Sequence, residues 1–93
     1  MSIKSINPIN GKIVKEYTGD SETIVSAKIE KGNKAWEKWK KTSFEERAKL
    51  LQNTAKILRE RKEKLAVLMA EEMGKPLKEG ISEIEKCALV CEY

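Results

Sequence analysis

The side chains best suited to chemistry in this 93-residue chain are two thiols one helical turn apart, Cys87 and Cys91. A pair of thiolates can ligate a soft metal or cycle between dithiol and disulfide. A structural zinc site needs four ligands, and the chain contains no histidine to add to the two sulfurs. A redox pair normally has Cys-x-x-Cys spacing at an electropositive helix start, and this pair has neither. Free cysteine is among the most buried residue types, so Cys87 and Cys91 read as small hydrophobes packed on a buried stripe. The lack of histidine also removes the commonest general base. Gly11, Gly19, Gly32, Gly74 and Gly80 are isolated, so no glycine-rich phosphate loop is present, and no serine has a base near it in sequence. The residues themselves therefore assign no catalytic, no cofactor-binding and no metal-binding position.

What remains is a question of architecture. The chain allows one domain at most, and its length makes any core marginal. Charged residues make up 37% and hydrophobic ones 40%, the balance of a helical protein in water. The net charge of +4 comes from 19 Lys and Arg interleaved with 15 Asp and Glu. Interleaving of this kind marks solvated helix faces, and acidic residues interrupt every basic run, so no nucleic-acid partner is expected. No apolar run approaches the roughly 20 residues of a bilayer span, so no membrane partner is expected either. Met1-Ser2-Ile3-Lys4 opens no signal-peptide pattern and two cysteines make no disulfide framework, so a cytoplasmic protein is the expectation.

Residues 1–19 read as a β-hairpin, strands between Ile3 and Tyr17 turning at Asn10-Gly11. Residues 20–93 read as a helical layer. Asp20 or Ser21 caps a first helix from about Glu22 to Lys40, whose Val25, Ile29, Gly32, Trp36 and Trp39 share one arc. Gly32 within that arc is expected to admit a close neighbour. Ser43-Phe44-Glu45-Glu46 is a capping box opening a second helix to about Arg59, with an apolar arc wide enough to touch more than one neighbour. The run Arg59 to Lys64 reads as a solvated junction with pairs such as Glu60–Lys64. Leu65, Leu68, Met69 and Met73 stripe a third helix, which Gly74 should end in a left-handed cap, with Pro76 in the first turn of a fourth. Leu77, Ile81, Ile84, Cys87, Ala88 and Cys91 line one face of that fourth helix, which has no stop signal and leaves Leu89 and Val90 pointing elsewhere. The fold class is thus mainly α, a short hairpin plus about four helices, and residues 1–93 read as the truncated front of a longer protein.

Five pieces in order carry a family resemblance. They are Ser5-Ile6-Asn7-Pro8-Ile9-Asn10-Gly11-Lys12, Ala35-Trp36-Glu37-Lys38-Trp39, the stretch Ser43 to Leu51, Glu72-Met73-Gly74-Lys75-Pro76-Leu77, and Glu83 to Ala88 leading to Tyr93. Together they resemble the N-terminal segment of the NAD(P)-dependent aldehyde dehydrogenase superfamily, and the first and last look most like its succinate-semialdehyde dehydrogenase branch. The resemblance implies an α/β parent fold in which this segment packs on a cofactor-binding domain. It implies a parent that oxidises an aldehyde, succinate semialdehyde by the finer likeness, to the acid with NAD or NADP. There a cysteine thiolate attacks the aldehyde and a glutamate-activated water releases the product. The family's nucleophile, base and dinucleotide contacts all lie downstream of this segment, so none is carried onto residues 1–93 and the chain is not expected to be active alone. Its implied partners are the remainder of the dehydrogenase chain and, at full length, further copies in a homo-oligomer. Two positions carry weaker implications. Glu72 matches a residue near which some members bind a monovalent cation, and Lys86 lies on a helix near the family's substrate entrance. By residue chemistry alone both are solvated charges. The alternative to a dehydrogenase segment is a stand-alone helical interaction module without catalysis.

Overall fold

Sequence punctuation sets the element boundaries. The computed structural model describes residues Met1–Tyr93. In order they form β1 (Ser2–Ile6), β2 (Ile13–Thr18), α1 (Glu22–Trp39), α2 (Phe44–Glu60), α3 (Lys62–Met73) and α4 (Leu77–Glu92). The two strands pair antiparallel, Ser2 opposite Thr18 and Ile6 opposite Ile13. The register slips between Ser5 and Ile6, where Val14 is the extra residue of a bulge. The turn is wider than the Asn10-Gly11 pair that the sequence pointed to. Asn7 N–H donates to Lys12 O (2.8 Å), Gly11 N–H to Asn7 O (2.8 Å), and only Gly11 has a positive φ. The Asn7 side chain accepts from Ile9 N–H at 2.9 Å, an Asx turn that directs the chain through Pro8 and starts the loop early.

The helix starts follow their caps. Ser21, not Asp20, caps α1, its Oγ accepting from Ile24 N–H at 3.3 Å; Asp20 instead holds Lys28 in an ion pair. Ser43 Oγ accepts from Glu46 N–H at 3.1 Å to start α2. Arg61, at φ −105 and ψ 8, is the bend between α2 and α3. Gly74 closes α3 in the left-handed region, at φ 73, its N–H donating to Ala70 O. Pro76 sits one residue earlier than expected, at the cap of α4, and its carbonyl accepts from Gly80 N–H to open the helix.

The core lies where α4 crosses α2 and α3, and it is made of small residues. Ala55 of α2, Ala66 of α3, and Gly80, Ile84 and Ala88 of α4 are buried. No large side chain is fully buried. A Cβ placed on Gly80 would lie 3.0 Å from Ala66 Cβ and 3.2 Å from its Cα, so the missing side chain is what lets α3 and α4 touch backbone to backbone. The buried row of α4 is therefore Gly80-Ile84-Ala88, spaced by four. The expected stripe is rotated: Ile81 and Cys91 are half-buried, while Leu77 and Cys87 are exposed.

The expected burial of α1 does not occur within the chain. α1 buries no residue, Ile29, Trp36 and Trp39 are 69%, 53% and 44% exposed, and no atom comes within 4 Å of a Cβ on Gly32. A bound corner joins α1 to α2: Arg47 donates to Trp39 O (2.9 Å) and Thr42 Oγ1 (2.8 Å) and stacks over the Trp39 ring. The result is a flattened body of 48 × 37 × 14 Å with a radius of gyration of 17.3 Å, against about 12 Å for a compact chain of this length. Its accessible surface is 7965 Å². A compact protein of 10.6 kDa exposes about 5,500 Å², so about 2,500 Å² is surplus. No helix is long and apolar enough to cross a membrane.

Candidate functional site

The best-built polar constellation is an interhelical charge cluster that sequence reading assigned elsewhere. Arg59 leaves the last turn of α2 and reaches α4. Its Nη1 and Nη2 donate to the two oxygens of Glu92 at 2.7 and 2.6 Å, and its Nε donates to Glu85 at 3.1 Å. Lys62, in the first turn of α3, donates to the other Glu85 oxygen at 3.0 Å. Planar guanidinium and carboxylate groups match in this two-pronged way, which fixes direction as well as distance. The Glu92 and Glu85 hydrogen bonds raise the Arg59 pKa still further, holding the guanidinium charged. The ammonium of Lys62 and then the guanidinium of Arg59 hold the Glu85 carboxyl below the usual carboxylate range; Arg59 does the same for Glu92. The run Arg59 to Lys64 thus ties α2 and α3 to α4, and the expected Glu60–Lys64 pair is not among the ion pairs formed. The missed signal was Glu85 and Glu92, seven residues apart on one face of α4. Two positive and two negative charges balance one another here, so the cluster is a clasp between helices.

The second constellation is the Gly74-Lys75-Pro76 joint. A Cβ on Gly74 would lie 3.1 Å from Pro8 Cγ and 3.8 Å from Ile9, so the hairpin loop rests on the turn between α3 and α4. Lys75 pairs with Glu83 in the second turn of α4. This brings the opening and the Gly-Lys-Pro pieces of the sequence, more than sixty residues apart, into contact.

The thiols do not join either constellation. Both are free; Cys87 is exposed and Cys91 half-buried. Reading both as buried small hydrophobes holds in part for Cys91 and fails for Cys87, because the buried row of α4 is centred on Gly80, Ile84 and Ala88. Glu72, in the last turn of α3, and Lys86, on the outer face of α4, are exposed and join none of the ion pairs. No group of three or more cysteine, aspartate or glutamate side chains converges to hold a metal ion. One open groove runs beside α3 between Arg61, Leu65 and Leu68, and another lies at the α1–α2 corner beside Arg47. Neither contains a thiol or a pair of carboxylates.

Three of the four helix starts are unsuited to holding a phosphate. Phosphate binding at a helix start needs free N–H groups and close backbone approach through glycine. Here Ser21 and Ser43 occupy the starts of α1 and α2 with their own hydroxyls, and Pro76, which has no N–H, caps α4.

Residues 1–93 match the model of the aldehyde dehydrogenase family from end to end. Similar proteins include a probable succinate-semialdehyde dehydrogenase (NADP(+)) of Synechocystis, 36% identical over all of this chain and 20% of the relative. Succinate-semialdehyde dehydrogenase (NADP(+)) 1 of Mycobacterium tuberculosis is 35% identical, with the same coverage. A 1-pyrroline-5-carboxylate dehydrogenase of Staphylococcus epidermidis is 31% identical over 99% of this chain and 18% of its own length. The chain spans about a fifth of the length of these relatives. Hairpin, four helices, the Gly-Lys-Pro joint and a family match along every residue together place this chain in the aldehyde dehydrogenase family, as a mainly helical N-terminal segment of it.

Proposed function

We propose that this chain is the hairpin-and-helix layer of a dehydrogenase that oxidises succinate semialdehyde to the acid with NAD(P)+, and that catalysis resides in residues outside it. The observation that carries this reading is the surplus surface. Exposed Leu50, Leu51 and Ile57 of α2, Val67 and Leu68 of α3, and Leu89 and Val90 of α4 leave the α2–α4 body with apolar sides and a core of small residues only. Exposed apolar area on that scale belongs to an interface. The occupant proposed for it is the rest of a dehydrogenase chain, and further copies of the whole would form a homo-oligomer. The two succinate-semialdehyde dehydrogenases among the relatives, both named for NADP(+), support the substrate and the nucleotide. Within such an enzyme the chain's own residues have a supporting task. The charge clasp fixes α4 against α2 and α3, and the Gly74 turn seats the hairpin loop.

The test is reconstitution. The chain is produced together with the Mycobacterium tuberculosis relative lacking its matched first fifth, and NAD(P)+ reduction is followed with succinate semialdehyde. The expected result is co-purification and activity that neither piece shows alone. Failure of the two pieces to associate would overturn the reading. Lys86→Ala in the reconstituted enzyme tests the proposed place of that residue near an incoming carboxylate. A preference for carboxylated over plain aldehydes that survives the change removes Lys86 from substrate binding.

A further inference from the structure

We draw no further inference here: the strongest candidate, the uncovered apolar face of α1 that carries Val25, Ile29, Trp36 and Trp39, supports no proposal because nothing in the structure shows what covers it.

Discussion

Glycine to alanine at two positions inside helices should have opposite signs in this protein. An interior helical glycine costs about 1 kcal/mol relative to alanine, so replacing it should stabilise by about that much where nothing else changes. At Gly32 nothing else changes, since no atom lies within 4 Å of the new Cβ. At Gly80 the new Cβ meets Ala66 Cβ at 3.0 Å and Ala66 Cα at 3.2 Å. Carbon pairs are comfortable at about 3.5–4.0 Å, so α3 and α4 must separate by a few tenths of an ångström. Neither contacting atom belongs to a flexible side chain that could swing aside. Overpacking of this kind costs about 1–3 kcal/mol, which outweighs the propensity gain. The net expectation is stabilisation of about 1 kcal/mol for Gly32→Ala and destabilisation of about 1 kcal/mol for Gly80→Ala. Urea unfolding followed at 222 nm, at a concentration where tryptophan emission is independent of concentration, measures both. If both variants gain stability, the α3–α4 approach through Gly80 is not what sets the packing. If both lose it, the propensity argument fails at Gly32.

Three further outcomes are expected. Gly74→Ala places a side chain in the left-handed region and 3.1 Å from Pro8; it should cost about 1–2 kcal/mol and release the hairpin loop, seen as faster amide exchange at Ile9 and Gly11. Ser43→Ala should cost about 1 kcal/mol in thermal or urea unfolding, whereas Glu46→Ala should cost a few tenths at most, because only the serine half of the capping box is formed. The depressed Glu85 and Glu92 pKa values set the direction of acid sensitivity. Their contribution is complete above the ordinary carboxylate value of 4.5 and is lost as the pH falls through the lowered values. A paired E85Q/E92Q variant should already lack that contribution at neutral pH and so show a shallower acid transition in circular dichroism.

What the sequence revealed was whatever local chemistry determines. Ser21, Ser43 and Gly74 end or begin helices by bonds to residues within a turn, and each stands where its type predicted. The four helices and the hairpin followed from them. Readings that depended on distant neighbours fared worse. The α1 stripe was periodic, but periodicity says that a face is apolar and not that anything covers it. The α4 stripe includes Ile84 and Ala88, which are buried, but also Leu77 and Cys87, which are exposed, and it omits Gly80. The buried row runs through Gly80, where close approach of backbones selects for a missing side chain. A four-residue spacing of small residues was the available sign. The charge run at Arg59 was read along its own helix because its partners lie more than twenty residues away. The structure places Cys87, Glu72 and Lys86 apart on the surface.

The position of α4 in the core sets the order in which the core can form during synthesis. α2 and α3 leave the ribosome first, and the small residues they bury, Ala55 and Ala66, are covered by a helix not yet made. At roughly 5–20 residues per second, α4 follows the end of α3 by about 1–4 s. Through that interval α2 and α3 hold no packed partner, and the basic Arg59 and Lys62 lack the carboxylates that will neutralise them. The nascent chain therefore passes through a stage that is positively charged at its bend and open along its apolar side. Slower synthesis before Leu77 would lengthen the exposure.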